Sequence, residues 1–186
     1  RGLKKTAEIV IIGGGAIGTS IAYYLSKKDK KVILIEKHDL ASGSSGACDI
    51  MIILQSKNPG VHLQLAMESA RLYENLSREL DFDIEYDNVG GMILIEDEEQ
   101  MKVMQDFVKR QRDIGLQVEI MSLKDASKRQ PGIAPHVVGA TYSPQDSHVN
   151  PMKLCEGYAT AAKRLGAQIM LDTEVLDIKV KGGKVK

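Results

Sequence analysis

Three glycines near the amino terminus form the clearest chemical pattern in the sequence. Gly13, Gly15 and Gly18 follow the G-x-G-x-x-G spacing. In this pattern the first glycine permits a tight turn, the second lets the backbone approach a pyrophosphate, and the third lets a helix lie close to a sheet. The free N–H groups and the dipole at the start of that helix favour a phosphate charge. The spacing therefore predicts a site for the diphosphate of a nucleotide.

An acidic residue follows these glycines at a suitable distance. Glu36 stands 23 positions after Gly13, close to the roughly 20 positions typical of dinucleotide-binding motifs. Its carboxylate can accept hydrogen bonds from both hydroxyls of an adenosine ribose, and its charge disfavours a 2′-phosphate. Glycines also mark ordinary turns, but here the glycines and the acid occur in register with the surrounding elements. The stretch therefore predicts binding of an ADP-containing dinucleotide.

The elements that must position these residues follow from periodicity. Residues 8–12 form a short apolar run rich in β-branched side chains, which is typical of a strand buried on both faces. A helix is predicted at about 16–27 and a second buried strand at 32–35. We expect the opening strand to lie in the middle of the sheet. We also expect Glu36, at the end of the second strand, to point toward the glycine turn.

The segment after Glu36 is rich in small residues, with Ser42, Gly43, Ser44, Ser45 and Gly46 in succession. Such residues let backbone amides and hydroxyls approach a ligand, as in an anion-binding nest. The alternative is a flexible linker. Because the run follows directly on the second strand, at the sheet edge where doubly wound folds bind ligands, we favour the ligand-binding interpretation.

Composition limits the class of protein. The chain has 186 residues, and 25 lysines and arginines balance 25 aspartates and glutamates. This balance indicates neither nucleic acid nor an anionic membrane as a partner. Aromatic residues make up only 4% and tryptophan is absent, which argues against stacking platforms for bases. The longest apolar runs are too short to span a bilayer, so we expect no transmembrane segment.

The thiols and imidazoles show no metal-binding pattern. Cys48, Cys155 and the four histidines are scattered without ligand spacing, so we predict no metal site. Without a secretory context, reduced thiols in a cytoplasmic protein are the default. For Cys48 we favour a buried, inert thiol over a thiol–cofactor link. The sequence assigns no catalytic residue.

The middle and the end of the chain define the fold class. A hairpin is predicted from strands at 82–86 and 92–95, followed by a helix at about 98–114. Helix–strand alternation then returns after Asn150-Pro151, with strands at 167–171 and 174–180. A nicotinamide-binding domain would instead continue its alternation directly after the second strand. The predicted fold class is therefore α/β, a Rossmann-type nucleotide-binding domain with an inserted α+β portion.

Several motifs in this order resemble a known family. They are Gly13-x-Gly15-x-x-Gly18 with Glu36, residues 42–46, 90–94 and 97–99, Gln130-Pro131-Gly132, residues 146–151, 166–169 and 173–175. The chain resembles the D-amino-acid oxidase superfamily of FAD-dependent oxidoreductases, which includes glycine oxidase, sarcosine oxidase and proline dehydrogenases. The resemblance implies an FAD-binding domain at 1–80 and 144–186, and part of a substrate-binding domain at 81–143.

The resemblance also implies which residues hold FAD. The glycine turn would contact the pyrophosphate, the Gly/Ser run the pyrophosphate and ribityl oxygens, and Val175, on a returning strand, the adenine. Ala47 and Cys48 would approach the isoalloxazine ring. The full set of expected cofactor-binding residues is Gly13, Gly15, Ala16, Ile17, Gly18, Glu36, Lys37, Ser42, Gly43, Ser44, Ser45, Gly46, Ala47, Cys48 and Val175. The implied chemistry is hydride transfer from the carbon next to an amine nitrogen to the flavin, followed by hydrolysis of the imine.

Members of this family are about twice as long, so the resemblance predicts an N-terminal half that alone binds FAD weakly and catalyses little. The implied partners are a small amine or amino acid and a membrane-peripheral or hetero-oligomeric electron-transfer partner. Two other functions stay open. One is an NAD-dependent dehydrogenase, because Glu36 suits NAD equally well. The other is a non-catalytic nucleotide-binding subunit of a flavoprotein complex.

Overall fold

The computed structural model describes residues 6–185, and contacts divide the chain into two compact units. The first unit comprises the residues up to Asp49, Ser77–Glu85 and the residues from Asn150 onward; the second comprises Ile50–Leu76 and Tyr86–Val149. The boundaries predicted from the sequence, 1–80 with 144–186 and 81–143, stay a prediction. Residues 1–5 and 186 of that prediction lie outside the described residues.

Both units contain strands and helices. The strands are β1 (Ile9–Ile12), β2 (Val32–Ile35), β3 (Met51–Ile52), β4 (Gly91–Ile95), β5 (Glu119–Ser122), β6 (Gly139–Ser143), β7 (Ser147–His148), β8 (Gln168–Met170), β9 (Val180–Lys181) and β10 (Lys184–Val185). The helices are α1 (Ala16–Ser26), α2 (Val61–Tyr73), α3 (Leu76–Leu80), α4 (Glu98–Ile114), α5 (Leu123–Arg129) and α6 (Pro151–Arg164).

A parallel sheet in the order β1-β2-β8 forms the centre of the first unit. Ile9 pairs with Val32, and Ile33 pairs with Gln168. Helices α1 and α6 pack against each other, and the rings of Tyr23 and Tyr158 lie 5.7 Å apart. The sheet is parallel because each of its strands is followed or preceded by a helical crossover. This is the predicted nucleotide-binding α/β architecture.

The expected position of the opening strand is wrong for this sheet. Strand β2 lies in the middle, and among residues 6–185 no strand pairs with the other side of β1. The expected burial of β1 on both faces is also wrong, because Val10 and Ile12, which share one face of the strand, are 51% and 55% exposed. The second expectation, that Glu36 points toward the glycine turn, is confirmed by its hydrogen bonds described below.

The second unit is the inserted α+β portion. Its main sheet is antiparallel, in the order β4-β6-β5, and β3 pairs separately with β7. A cluster of buried apolar side chains joins α2 and α4; it contains Leu54, Leu63, Met67, Ala70, Val108, Leu116 and Val118. Helix α4 begins at a capping residue, Asp97, whose side chain accepts from the N–H of Gln100, and ends at Gly115. The predicted α/β fold class with an inserted portion is confirmed.

The hairpin predicted from 82–86 and 92–95 is wrong. β4 instead pairs antiparallel with β6, from Gly91 with Ser143 to Ile95 with Gly139. Residues 82–86 form no strand, and Glu85 has φ 54°, a left-handed conformation that interrupts an extended strand. The glycines at 90 and 91 resemble a local turn, but the partner of β4 lies far along the chain.

The strand predicted at 174–180 is also wrong for most of its length, since only Val180 belongs to a strand. The preceding segment is fixed differently: Asp172 has φ 48°, and the N–H of Thr173 donates to the carbonyl of Glu36 at 2.9 Å. The predicted helix start at Asn150-Pro151 is confirmed, because the Asn150 side chain accepts from the N–H groups of Met152 and Lys153. No helix within residues 6–185 has the length and apolarity to cross a membrane.

Candidate functional site

A cavity of about 510 Å³ lies at the carboxyl ends of β1 and β2. It brings together most of the residues that the sequence assigns to a cofactor. The predicted residues that line it are Gly13, Gly15, Ala16, Ile17, Gly18, Glu36, Lys37, Ser42, Gly43, Ser44 and Ser45. Parallel α/β sheets bind their ligands at this edge.

The glycine turn has the geometry that its spacing predicts. Gly13 has φ 110°, a conformation in which an L side chain is strained, and its N–H donates to the carbonyl of Ile35 at 2.8 Å. A Cβ added to Gly18 would lie 2.0 Å from the carbonyl oxygen of Gly13. The start of α1 therefore sits directly on the turn only because position 18 has no side chain.

The start of α1 presents unpaired amides to the cavity. Gly14 donates its N–H to Glu36 and Ala16 donates its N–H to Ser45 Oγ at 3.0 Å. The N–H groups of Gly15, Ile17 and Gly18 have no hydrogen-bond acceptor within the described part of the chain. The first turn of α1 contains no acidic side chain, so no residue of the helix itself neutralises the dipole at its start. This arrangement favours an anion such as a diphosphate.

Glu36 lies between the glycine turn and the end of β2. Its Oε1 accepts from the N–H of His38 at 2.8 Å, and its Oε2 accepts from the N–H of Gly14 at 2.6 Å. These two amides, His38 first, hold the pKa of Glu36 below its ordinary value. The carboxylate is therefore ionised at neutral pH, and each oxygen keeps lone pairs for a further donor such as a ribose hydroxyl.

The Gly/Ser run is folded onto the glycine turn. The N–H of Ala41 donates to the carbonyl of Gly14 at 3.1 Å, and the N–H of Gly46 donates to the carbonyl of Gly43 at 3.1 Å. A Cβ at Gly46 would lie 2.3 Å from the carbonyl oxygen of Ala41. A flexible linker predicts none of these contacts, so the geometry favours the ligand-binding interpretation.

The remaining predicted residues lie outside the cavity lining or have another partner. Lys37 lines the cavity but also forms an ion pair with Glu174 at 3.0 Å. Gly46, Ala47, Cys48 and Val175 are not part of the lining. Their assignment to the cofactor stays a prediction. Val175 also lacks the strand that was expected to present it.

The expectation of a buried Cys48 is wrong. Its side chain is exposed, and its thiol donates to the carbonyl of Ser45 at 3.2 Å. The buried thiol is Cys155 on α6, and burial raises its pKa. The residue type is cysteine in both cases and gives no signal for this difference. Cys48 is exposed because the neighbouring Gly/Ser run has few side chains that could cover it.

Sequence reasoning missed Gly14. Its N–H is the donor that ties Glu36 to the turn, and a Cβ there would lie 3.0 Å from Glu36 Cβ and from Leu40 Cδ2. The residue stands inside the motif at a position that the spacing leaves unspecified. Among residues 6–185, no group of three or more His, Cys, Asp or Glu side chains is arranged to hold a metal ion.

The parallel sheet, the unpaired amides at the start of α1 and the acid at the end of β2 define a dinucleotide-binding α/β protein. The family model described as "DAO: FAD dependent oxidoreductase" matches residues 8–186. The chain belongs to this family of FAD-dependent oxidoreductases, and its cofactor is FAD. The resemblance inferred from the motifs is therefore confirmed.

Individual relatives span different functions. The chain is 33% identical to glycine oxidase of Bacillus subtilis (strain 168), over 97% of this chain and 49% of that protein. It is 32% identical to the mitochondrial pyruvate dehydrogenase phosphatase regulatory subunit of Mus musculus, over 98% of this chain and 21% of that protein. It is 28% identical to anaerobic glycerol-3-phosphate dehydrogenase subunit A1 of Haloferax volcanii, over 98% of this chain and 31% of that protein.

A solved structure supports the same fold. The crystal structure of L-proline dehydrogenase from P. horikoshii superimposes with a TM-score of 0.91 at 28% identity, over 99% of this chain and 49% of that chain. The chain thus spans half or less of the length of each of these proteins.

FAD fits the residues that the cavity offers. Three unpaired amides at a helix start suit its diphosphate, and the ionised Glu36 suits the two hydroxyls of its adenosine ribose.

Proposed function

We propose that the full-length protein is an FAD-dependent oxidoreductase that oxidises the C–N bond of an amino acid or a secondary amine. The observation that carries this proposal is the set of unpaired amides at Gly15, Ile17 and Gly18 beside the ionised Glu36, in a chain of the FAD-dependent family. Glycine oxidase and L-proline dehydrogenase, among the relatives, are named for substrates of this kind.

The residues of this chain would bind and orient the cofactor. The amides of Gly15, Ile17 and Gly18 would donate to the diphosphate, and Glu36 would accept from the ribose hydroxyls. Once bound, FAD supplies the acceptor for the hydride that leaves the carbon next to the amine nitrogen. The Gly/Ser run, Ser42–Gly46, would close over the diphosphate and ribityl groups.

Other parts of the proposal concern the wider protein. Ala47 and Cys48 would lie toward the flavin ring, Lys37 near the ribose, and Val175 near the adenine. The domains would divide at 1–80 with 144–186 and at 81–143. The substrate is a small molecule, the protein is cytoplasmic, and its electrons pass to oxygen or to a membrane-peripheral or hetero-oligomeric partner.

A second candidate function is that of a non-catalytic, FAD-binding regulatory subunit. It is favoured by the 32% identity over nearly the whole chain to a protein named as a phosphatase regulatory subunit. In that case Glu36 and the amides of α1 would bind FAD as a structural group, and no amine would reduce it.

The absorbance spectrum of the purified full-length protein tests these proposals. We expect a yellow protein whose flavin bands bleach anaerobically with at least one of glycine, sarcosine, proline, hydroxyproline and a D-amino acid. Glycerol 3-phosphate is the control substrate, because its oxidation breaks a C–H bond next to oxygen. Bleaching by glycerol 3-phosphate alone would contradict C–N oxidation. A yellow protein that no substrate bleaches would favour the regulatory function, and a colourless protein that titrates with NADH would contradict both.

A further inference from the structure

Ser45 contacts the glycine turn in a way that the motif does not predict. Gly15, the residue that precedes α1, has no side chain with which to cap the helix. The N–H of Ala16, the first residue of α1, donates instead to Ser45 Oγ at 3.0 Å, across 29 positions of sequence. Ser45 therefore takes the place of a helix cap, which normally comes from the residue immediately before the helix.

Ser45 is itself held from two sides. Its carbonyl accepts the thiol of Cys48 at 3.2 Å. Its hydroxyl lies beside the buried thiol of Cys155 on α6, as does the hydroxyl of Thr19 on α1. Thr19 in turn donates to the carbonyl of Gly15 at 2.9 Å. These contacts place the Ser45 hydroxyl beside the glycine turn, at the edge of the cavity that Ser45 lines.

The position of the Ser45 hydroxyl limits which side chain can stand at position 15. Gly15 has φ −80° and ψ −176°, an extended conformation that any residue adopts. A Cβ at this position would lie 2.9 Å from Ser45 Oγ, and the next atom along, Ser45 Cβ, is 3.8 Å away. The backbone itself would accept a side chain here, and the Ser45 hydroxyl is the atom that excludes it.

We propose that Ser45 is a positioning residue that caps α1 from the Gly/Ser run, and that its hydroxyl requires glycine at position 15 even before any ligand binds. The cap occupies the N–H of Ala16 and leaves those of Gly15, Ile17 and Gly18 for the ligand. The consequence for FAD rests on the proposed function. The packing of Ser45 against Gly15 does not.

A double-mutant cycle tests the proposal in the full-length protein, stripped of flavin and unfolded with urea. Ser45→Ala removes the cap and is expected to lower the folded-to-unfolded ratio about fivefold, as loss of a typical helix cap does. Gly15→Ala alone is expected to lower the folded-to-unfolded ratio more than Ser45→Ala does, because its Cβ meets the Ser45 hydroxyl. In the Ser45→Ala background, the added methyl of Gly15→Ala meets only the Cβ at position 45 and is expected to cost little more.

Gly14→Ala is the matched control. Its Cβ would crowd Glu36 and Leu40 and not Ser45, so its effect and that of Ser45→Ala are expected to add. The proposal is overturned if Gly15→Ala costs as much in the Ser45→Ala background as it does with Ser45 present, or if Gly15→Ala folds in neither background. It is also overturned if Ser45→Ala leaves both the apo stability and the hydrogen exchange of the Ala16 amide unchanged.

A flavin titration of the unmodified protein separates this proposal from the proposed function. If FAD does not bind, the proposed function fails while the apo cycle still reports on Ser45. If FAD binds, Ser45→Ala is expected to weaken it several-fold because the start of α1 loses its cap. If Ser45 contacted FAD directly and had no capping role, Ser45→Ala would weaken FAD binding equally but would leave the apo protein as stable as before.

Discussion

Two carboxylates, Glu36 in the first compact unit and Asp146 in the second, each accept a hydrogen bond from a backbone N–H group. Their surroundings shift their pKa values in opposite directions. Glu36 accepts from Gly14 and His38 and lines a cavity. Asp146 accepts from the N–H of Leu54 at 2.8 Å and from Gln55 Nε2 at 2.7 Å, and its side chain is fully buried. The backbone amides lower the pKa of Glu36, whereas burial raises the pKa of Asp146.

The difference distinguishes a binding group from a structural one. Asp146 belongs to a buried network in which Thr141 donates to Gln55 Oε1, and Gln111 Nε2 donates to the carbonyls of Gln55 and Lys57 at 2.9 Å each. A network of this kind fixes the packing around it through the hydrogen bonds that its members make. Within the described part of the chain, the Oε1 of Gln111 is the member atom without a hydrogen-bond partner. Glu36 keeps lone pairs directed to open space, so a ligand can complete its hydrogen bonding.

Removal of the buried carboxylate is expected to have the largest effect. Asp146→Ala would leave the N–H of Leu54 and the amide of Gln55 without an acceptor in the core and would create a cavity. We expect a loss of about 3–5 kcal/mol in the free energy of unfolding, measured by urea denaturation. Asp146→Asn, which keeps the volume and one acceptor, is the control and should lose clearly less. Equal losses would mean that neither the retained volume nor the single remaining acceptor stabilises this position, so that both carboxylate oxygens are required.

Removal of Glu36, the half-buried carboxylate that lines the cavity, should act on ligand binding more than on folding. Glu36→Ala removes the acceptor for Gly14 and the expected acceptor for the ribose. A hydrogen bond to a charged group contributes about 1.5–3 kcal/mol, so we expect FAD affinity to fall by about 10- to 150-fold, measured by fluorescence titration. Glu36→Gln keeps one acceptor oxygen, so its affinity for FAD should fall less. An unchanged affinity in Glu36→Ala would remove Glu36 from the site and end the contrast with Asp146.

The two carboxylates also predict opposite responses to pH. Because the pKa of Glu36 is lowered, its stabilisation is present above the ordinary value of 4.5 and is lost as the pH falls through the lowered pKa. Because the pKa of Asp146 is raised, its contribution is most favourable below 3.8 and declines as the pH rises through the raised pKa.

Urea unfolding between pH 3 and pH 7, in steps of about 0.5 pH units, measures how the free energy of unfolding changes with pH for each carboxylate. Glu36→Gln should remove the loss of stability at acidic pH, and Asp146→Asn should remove the decline with rising pH. If both variants changed the profile in the same direction, the opposite environments assigned to Glu36 and Asp146 would be wrong.

The site is predictable where its parts are close in sequence. The turn at Gly13, the start of α1 and Glu36 lie within about 25 positions, and each has a local signal in residue type and spacing. The cap from Ser45 is not predictable, because a serine in a Gly/Ser run carries no sign of which helix it reaches. The same holds for Asp146, whose contact with Leu54 spans 92 positions.

The fold shows the same limit. The run at 92–95 is recognisable as a strand, but its partner is β6, more than 40 positions later, and not the neighbouring segment. Periodicity identifies a strand and does not identify its partner. The left-handed conformation at Glu85 interrupts a segment whose composition favours a strand, and Asp172 adopts such a conformation just before another such segment. A glutamate gives no sign of this conformation, and an aspartate favours it without specifying it.

The smallest effect is expected at the rim of the cavity. Lys37 pairs with Glu174 at 3.0 Å, but both side chains are more than half exposed. Exposed ion pairs contribute about 0.2–1 kcal/mol and are screened by salt. Lys37→Ala should therefore change the free energy of unfolding by less than about 1 kcal/mol, and the change should shrink in high salt. A larger change in FAD affinity than in stability would instead give Lys37 a place beside Glu36 in the binding group. Glu174→Ala separates an ion-pair role of Lys37 from a role in FAD binding. It breaks the ion pair but leaves the Lys37 charge free to contact the cofactor, so it should lower stability without weakening FAD binding.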